Sequence, residues 1–199
     1  MPDNDPSKQR KKRPPQPLDR ERLQQLALSY VARFATTSAK LESYLSRKLR
    51  ERGWNGGQDD GGDIDAQSLP DLSAIAANFV ELGYIDDEAY ARSRSGGLLR
   101  RGYGPRRVSQ ALYAAGVDET IRAAIEPGEA SVRRAVLAMA RKRRFGPFAP
   151  ERPDQARHQK QIAAMLRAGH GFDAVRAIMD AGSIAAAEQW AAEAQEEEE

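Results

Sequence analysis

The chain has 199 residues, 40% of them hydrophobic and 30% charged, with no cysteine and a formal net charge of +2. Disulfides, thiolate metal sites and cysteine nucleophiles are excluded, and no apolar run approaches the roughly 20 residues that span a bilayer. A mean hydropathy of −0.69 favours small helical units over one large globule with a deep interior.

The charge is unevenly placed. Four glutamates, Glu196 to Glu199, close the chain, and without them the net charge is +6. Basic clusters stand at Arg10 to Arg13, Arg100 and Arg101, Arg106 and Arg107, Arg133 and Arg134, and Arg141 to Arg144. Taken singly, each reads equally well as a solvated helix face. Together they favour binding to phosphates or to an acidic protein groove. The basic N-terminal run has no apolar stretch behind it of the kind a signal peptide needs. A soluble, cytoplasmic protein with no membrane association is expected.

In chain order, residues 1–17 are basic and proline-rich with little to bury, and read as a disordered tail. Leu23, Leu26, Ala27, Tyr30, Val31 and Phe34 follow the spacing of an amphipathic helix. Thr36, Thr37 and Ser38 offer hydroxyl caps for a second helix with Leu41, Tyr44, Leu45 and Leu49, closed by Gly53. A Gly- and Asp-rich stretch at 55–69 predicts a polar loop. Pro70 suits the first turn of a third helix with Ile75, Phe79 and Leu82. Asp86 and Asp87 open a fourth, which runs to about Arg101 across Gly96 and Gly97. Gly102 and Gly104 form a corner, and Pro105 starts a fifth helix striped by Val108, Ala111 and Leu112. Asp118 caps a sixth; Val132, Val136 and Met139 mark a seventh; Ile162, Met165 and Leu166 an eighth; Val175, Ile178 and Met179 a ninth. No stretch alternates at period two for long, so the chain reads as all-α.

The helices repeat. Leu49, Leu112 and Met165 each stand four residues before a glycine, at Gly53, Gly116 and Gly169. An apolar residue follows each glycine, at Trp54, at Val117 and, after a two-residue insertion, at Phe172. The expected organisation is a tandem array of three three-helix repeats at 18–83, 84–126 and 127–182, with an acidic C-terminal segment at 183–199. Such units stack because each alone buries too little.

Chemistry is scarce. His158 and His170 are too far apart for a metal pair on one helix. No phosphate-binding loop or nucleophile-turn motif is present. Asp59, Asp60, Asp63 and Asp65 lack the order and closing Glu of a calcium loop. No catalytic residue, metal or cofactor is therefore expected. The cationic corner is more informative: Arg100, Arg101, Arg106 and Arg107 flank Gly-Tyr-Gly-Pro, and arginine forks suit carboxylates or phosphates. A helix N-terminus beside them would add a favourable dipole for an anion. Tyr103 either stacks on a partner or covers the core. Tyr84 with Asp86 and Asp87 reads as an aromatic plug and cap. The fourth and fifth helices also have the look of a helix-turn-helix, with Arg106, Arg107, Ser109 and Gln110 reaching towards bases, although no separate dimer helix accompanies them.

The stretch from Gly83 to Val117, with Gly83-Tyr84-Ile85-Asp86-Asp87, the Tyr90-Ala91 pair, Arg100 to Arg107 and the closing Ala-Ala-Gly-Val, resembles the RecX family of bacterial regulators of the RecA recombinase. Ser46 to Trp54 resembles the same family's basic helix ending in Gly-aromatic. The resemblance covers roughly Leu23 to Gly182. It implies an elongated, curved, right-handed or solenoid-like array that lies in the groove of a RecA–DNA filament and modulates, in the direction of inhibition, the recombinase in recombination and DNA repair. It implies a monomer whose partners are that filament and, more weakly and non-specifically, single- or double-stranded DNA. The implied contact residues are Arg47, Lys48, Arg50, Arg100, Arg101, Tyr103, Arg106, Arg107, Arg141, Lys142, Arg143 and Arg144. Three features depart from the family: the long acidic loop, Ala115 in place of a basic side chain, and His170-Gly171 in the third repeat. The alternative is a stand-alone helix-turn-helix-like DNA-binding regulator.

Overall fold

Carboxylates and one hydroxyl start most of the helices. Asp19, Thr37, Asp71, Asp86, Asp118 and Asp154 each accept a hydrogen bond from a first-turn backbone N–H, an arrangement that stabilises a helix by about 1 kcal/mol. The computed structural model describes residues 16–55 and 69–198. The basic run at Arg10 to Arg13 and the acidic residues Asp59, Asp60, Asp63 and Asp65 lie outside the described residues. The helices are α1 Arg20–Val31, α2 Ser38–Arg52, α3 Leu72–Glu81, α4 Asp87–Arg100, α5 Pro105–Tyr113, α6 Glu119–Ala124, α7 Glu129–Arg143, α8 Gln155–Arg167, α9 Phe172–Met179 and α10 Ile184–Glu198, with a 3-10 turn at Gly146–Phe148. No strand occurs among the described residues; one isolated bridge joins Leu18 to Trp54. The all-α class is borne out.

Buried side chains fall into three successive cores. Leu18, Leu23, Leu41, Leu45, Phe79 and Ile85 form the first, around α1 to α3. Ala91, Leu98, Val108, Leu112 and Val117 form the second, around α4 to α6. Val136, Met139, Met165, Val175 and Ile178 form the third, around α7 to α9, and Ala187 of α10 joins it.

Four local expectations are corrected. Pro70 does not sit in the first turn of α3: Asp71 is the cap and Leu72 the first helical residue. Its carboxylate accepts from Ser73 and Ala74 N–H, both 3.0 Å, which fixes the start one residue later than proline would. Tyr84 is no plug; it is 56% exposed beside the Phe79 ring, and Ile85 fills the core instead. Gly96 and Gly97 bring no second helix close, since a Cβ on Gly96 would meet only the guanidinium of Arg100 and one on Gly97 nothing. The fourth concerns the repeat. His170, fully buried, directly follows Gly169 and donates its N–H to Met165 O, as Val117 does to Leu112 O. His170 therefore takes the place of Val117, and Gly171 that of the cap Asp118. There is no insertion, and Phe172 is merely the exposed first residue of α9.

The acidic segment after residue 183 carries the tenth helix, which the apolar-stripe reading stops short of. Ala187, Ala191 and Ala194 are buried on one face of α10. Arg133 lies 4.8 Å from the Trp190 ring and donates to the Trp190 carbonyl, and Arg141 is ion-paired with Glu188. Helix α10 follows α9 as α4 follows α3 and α7 follows α6, so it stands where a fourth unit would begin. Glu188 and Glu193 are exposed on its outer side, a polar face of the kind that caps stacked repeats.

Candidate partner-binding face

The middle helix of each unit is joined end to end with that of the next. At the first seam the Thr37 hydroxyl donates to Ala115 O at 2.6 Å while accepting from Lys40 N–H at 3.2 Å, so one side chain links the end of α5 to the start of α2. Beside it, Asp87 accepts from both the backbone N–H (2.9 Å) and the hydroxyl (2.6 Å) of Ser38, and Lys40 bonds the Tyr90 hydroxyl. At the second seam the bonds are backbone to backbone. Gly104 N–H donates to Ala168 O (3.0 Å) and Arg106 N–H to Gly169 O (3.1 Å), which ties the start of α5 to the end of α8. In both seams carbonyls at a helix C-terminus meet donors at a helix N-terminus, so the dipoles of α8, α5 and α2 run head to tail.

Two glycines make the second seam possible. A Cβ on Gly104 would stand 2.3 Å from the Gly169 carbonyl, and one on Gly102 (φ +83°) 2.9 Å from the backbone nitrogen of Met139. His170 closes the joint: its Nε2–H donates to Gly102 O at 3.0 Å, while Nδ1 is buried without a partner. Burial holds its pKa below the usual imidazole value, opposed by the bond to the Gly102 carbonyl. His170 is thus a neutral structural wedge between units.

The seams sort the predicted contact residues. Arg100, Arg101, Tyr103, Arg106 and Arg107 share the corner between α4 and α5. Arg101 donates to Gly97 O at 2.9 Å along its own helix. Arg106 and Arg107 are exposed and, among the described residues, make no ion pair; Tyr103 is 39% exposed. The expected anion site at the N-terminus of α5 is not open, because carbonyls of α8 already take those N–H groups. What remains at the corner is a set of side-chain cations on a braced backbone.

Arg47, Lys48 and Arg50 occupy the far end of α2, about 35 Å from the corner by the path along α5 and α2 at ~1.5 Å per residue. Lys48 bonds Glu51 at 2.6 Å and Arg47 lies 3.7 Å from it. The Lys48 ammonium holds the Glu51 carboxyl below its usual pKa, aided by the charges of Arg47 and Arg50. Arg50 makes no ion pair among the described residues. Arg141 faces α10 through Glu188 and covers the Phe148 ring at 5.6 Å, so it is part of the packing of the third unit. Lys142 is exposed. Arg143 and Arg144 line a cavity at the end of α7. The basic residues form separate groups, and a sequence stripe could not reveal that Glu51 and Glu188 engage three of them.

Among the described residues no His, Asp or Glu group could hold a metal ion, and no helix is long and apolar enough to cross a membrane. Three helical cores tied end to end, with cations displayed at one joint and at the ends of α2 and α7, define an all-α helical-repeat protein. A family model described as RecX, second three-helix domain, matches residues 86–124, the span of α4 to α6. The chain is 29% identical over 181 residues to the regulatory protein RecX of Myxococcus xanthus, covering 88% of this chain and 94% of that one. It is 31% identical over 144 residues to the regulatory protein RecX of Agrobacterium fabrum, covering 72% and 73%. The chain belongs to the RecX family. The crystal structure of RecX from Lactobacillus salivarius superposes with a TM-score of 0.58 over 80% of this chain and 93% of that one, at 19% identity, and shows the same fold.

Proposed function

We propose that the protein binds a RecA–DNA filament and regulates recombination by lowering the activity of the recombinase. The observation that carries this reading is the braced corner from Gly102 to Arg107. Its backbone is fixed by Gly104 and Arg106 N–H bonds to the next unit, while the Arg106 and Arg107 guanidiniums make no ion pair among the described residues. Holding the backbone of such cations reduces the ordering cost of binding an anionic surface. With Arg100, Arg101, Tyr103, Arg47, Lys48 and Arg50, they supply separated contacts suited to an extended, repeating partner. Lys142, Arg143 and Arg144 extend the set to the third unit, and DNA phosphates are non-specific secondary contacts. The protein acts as a cytoplasmic monomer without catalysis of its own.

The alternative, helix-turn-helix reading is disfavoured by the same corner. Such readers push the first turn of the second helix into the major groove, whereas the first turn of α5 is packed on Ala168 and Gly169. The test is RecA strand exchange and ATP turnover on single-stranded DNA, with and without the protein. Both should fall as it saturates the filament; unchanged rates, or strong sequence preference for duplex DNA without RecA, would refute the reading.

A further inference from the structure

The α7–α8 connection builds a cavity of which the regulatory reading uses only two wall residues, Arg143 and Arg144. It has a volume of about 380 Å³ and is walled by Arg143 and Arg144 from the end of α7, Arg157 and Lys160 from the first turns of α8, and the half-buried Phe145 and Pro153 between them. That volume lies within the usual range for small-ligand sites, roughly 300–1,000 Å³. Among the described residues Glu151 is the single carboxylate in the lining, so their four cations and one anion leave it at +3. None of the four cations makes an ion pair within the described residues.

Two further features mark a built site. Gln161 lines the cavity and is only 6% exposed. Its Oε1 accepts from Gly146 N–H at 3.4 Å, which leaves the Nε2 amide with no partner among the described residues. Arg144 is the one non-glycine with positive φ among the described residues, at φ 54° and ψ 50°. Gly53, Gly116 and Gly169 do the equivalent task at the ends of α2, α5 and α8. A backbone strained for an L-residue is retained here with a guanidinium attached, at the wall of a cationic cavity.

From these observations we infer that the cavity is a binding site for a nucleoside di- or triphosphate. Arg143, Arg144, Arg157 and Lys160 take the phosphates, the arginines through paired N–H groups. One phosphate carries about −1.5 to −2 near neutrality, so two or three phosphates match the lining better than one. Phe145 and Pro153 offer apolar surface to the base, and the Gln161 amide a donor. A nucleic-acid strand is the weaker fit: its backbone wants a groove with cations in line and successive stacking platforms, whereas these cations converge on one concavity.

The site lies about 20 Å from the Arg106 corner along the 13 residues of α8, so it is tested independently of the regulatory reading. The experiment titrates ADP into the full chain alone, without RecA or DNA, by calorimetry, with adenosine, pyrophosphate and oligothymidine as parallel arms. ADP should bind saturably with one site per chain, pyrophosphate should compete with it, and adenosine should bind at least tenfold more weakly. Arg143→Ala and Lys160→Ala, both at exposed positions with no ion pair among the described residues, should each weaken ADP about tenfold, while Arg106→Ala leaves it unchanged. Absence of saturable ADP binding at millimolar concentration would overturn the site. So would equal loss on Arg106→Ala, parental affinity in both cavity variants, or oligothymidine binding the cavity more tightly than ADP.

Discussion

Gly104 lies so close to Gly169 that a single methyl group on it would stand 2.3 Å from the carbonyl of the facing glycine. This contact sets the distance between the second and third units and fixes the direction in which Arg106 and Arg107 leave the chain. Gly104→Ala, at φ −83°, causes no backbone strain of its own, so its cost reports the close approach alone. We expect a loss of about 1–3 kcal/mol or more, as for overpacking, measured by urea denaturation. Gly169→Ala should cost more, because φ +96° adds strain to a clash at 2.5 Å with Arg107 N.

The first seam depends on side chains and should respond differently. Thr37→Val keeps the shape but removes both the bond to Ala115 O and the cap on Lys40 N–H. A buried carbonyl and an N–H are left without partners, and a loss of about 2 kcal/mol is expected. Asp87→Ala frees the Ser38 N–H and hydroxyl and should loosen the same seam, seen as faster hydrogen exchange at the start of α2 before global stability changes.

His170 makes stability pH-dependent. Its folded pKa is depressed, chiefly by burial, so the unfolded chain binds the proton more readily. The stability that the neutral ring supplies is present above the unfolded value of about 6.5 and is lost as pH falls from there through the folded pKa. Denaturation midpoints should therefore drop more between pH 8 and pH 5.5 in the parent chain than in His170→Gln. Equal slopes in the two proteins would contradict this.

Helix α10 should act as a cap. Trp190→Ala removes the ring stacked on Arg133 beside the third core, and about 2 kcal/mol is expected for a half-buried aromatic, below the 3–5 typical of full burial. The loss should be confined to the third unit, with hydrogen-exchange protection falling in α7 and α9 but not in α2.

The fold was largely legible because its signals are local. Apolar spacings at Leu41 and Leu45 or Val108 and Leu112, and the glycines after Leu49, Leu112 and Met165, mark helices and repeat from residues a turn apart. The joints were not legible, since Ser38 and Asp87 lie 49 residues apart in sequence and His170 and Gly102 lie 68 apart. The role of His170 is hidden because a histidine does not announce itself as the counterpart of Val117; only its burial does. Helix α10 is hard to read from the sequence because its buried face is alanine, too small to stand out, although Ala187, Ala191 and Ala194 keep helical spacing and Trp190 flanks them. Arg141 looked like its neighbours in the basic run, and only Glu188 on α10 sets it apart. The cavity at Gln161 needed the fold of the α7–α8 connection, which no periodicity encodes.

The proposed function rests on the corner at the start of α5 as the grip on the recombinase filament. Its most direct test is RecA-catalysed strand exchange in the presence of Arg106→Glu with Arg107→Glu, at matched concentration and with helicity verified by circular dichroism. Both side chains are exposed and make no ion pair among the described residues, so the fold should persist, while the suppression expected of the parent protein should be largely lost. Full suppression by the folded double variant would contradict the account.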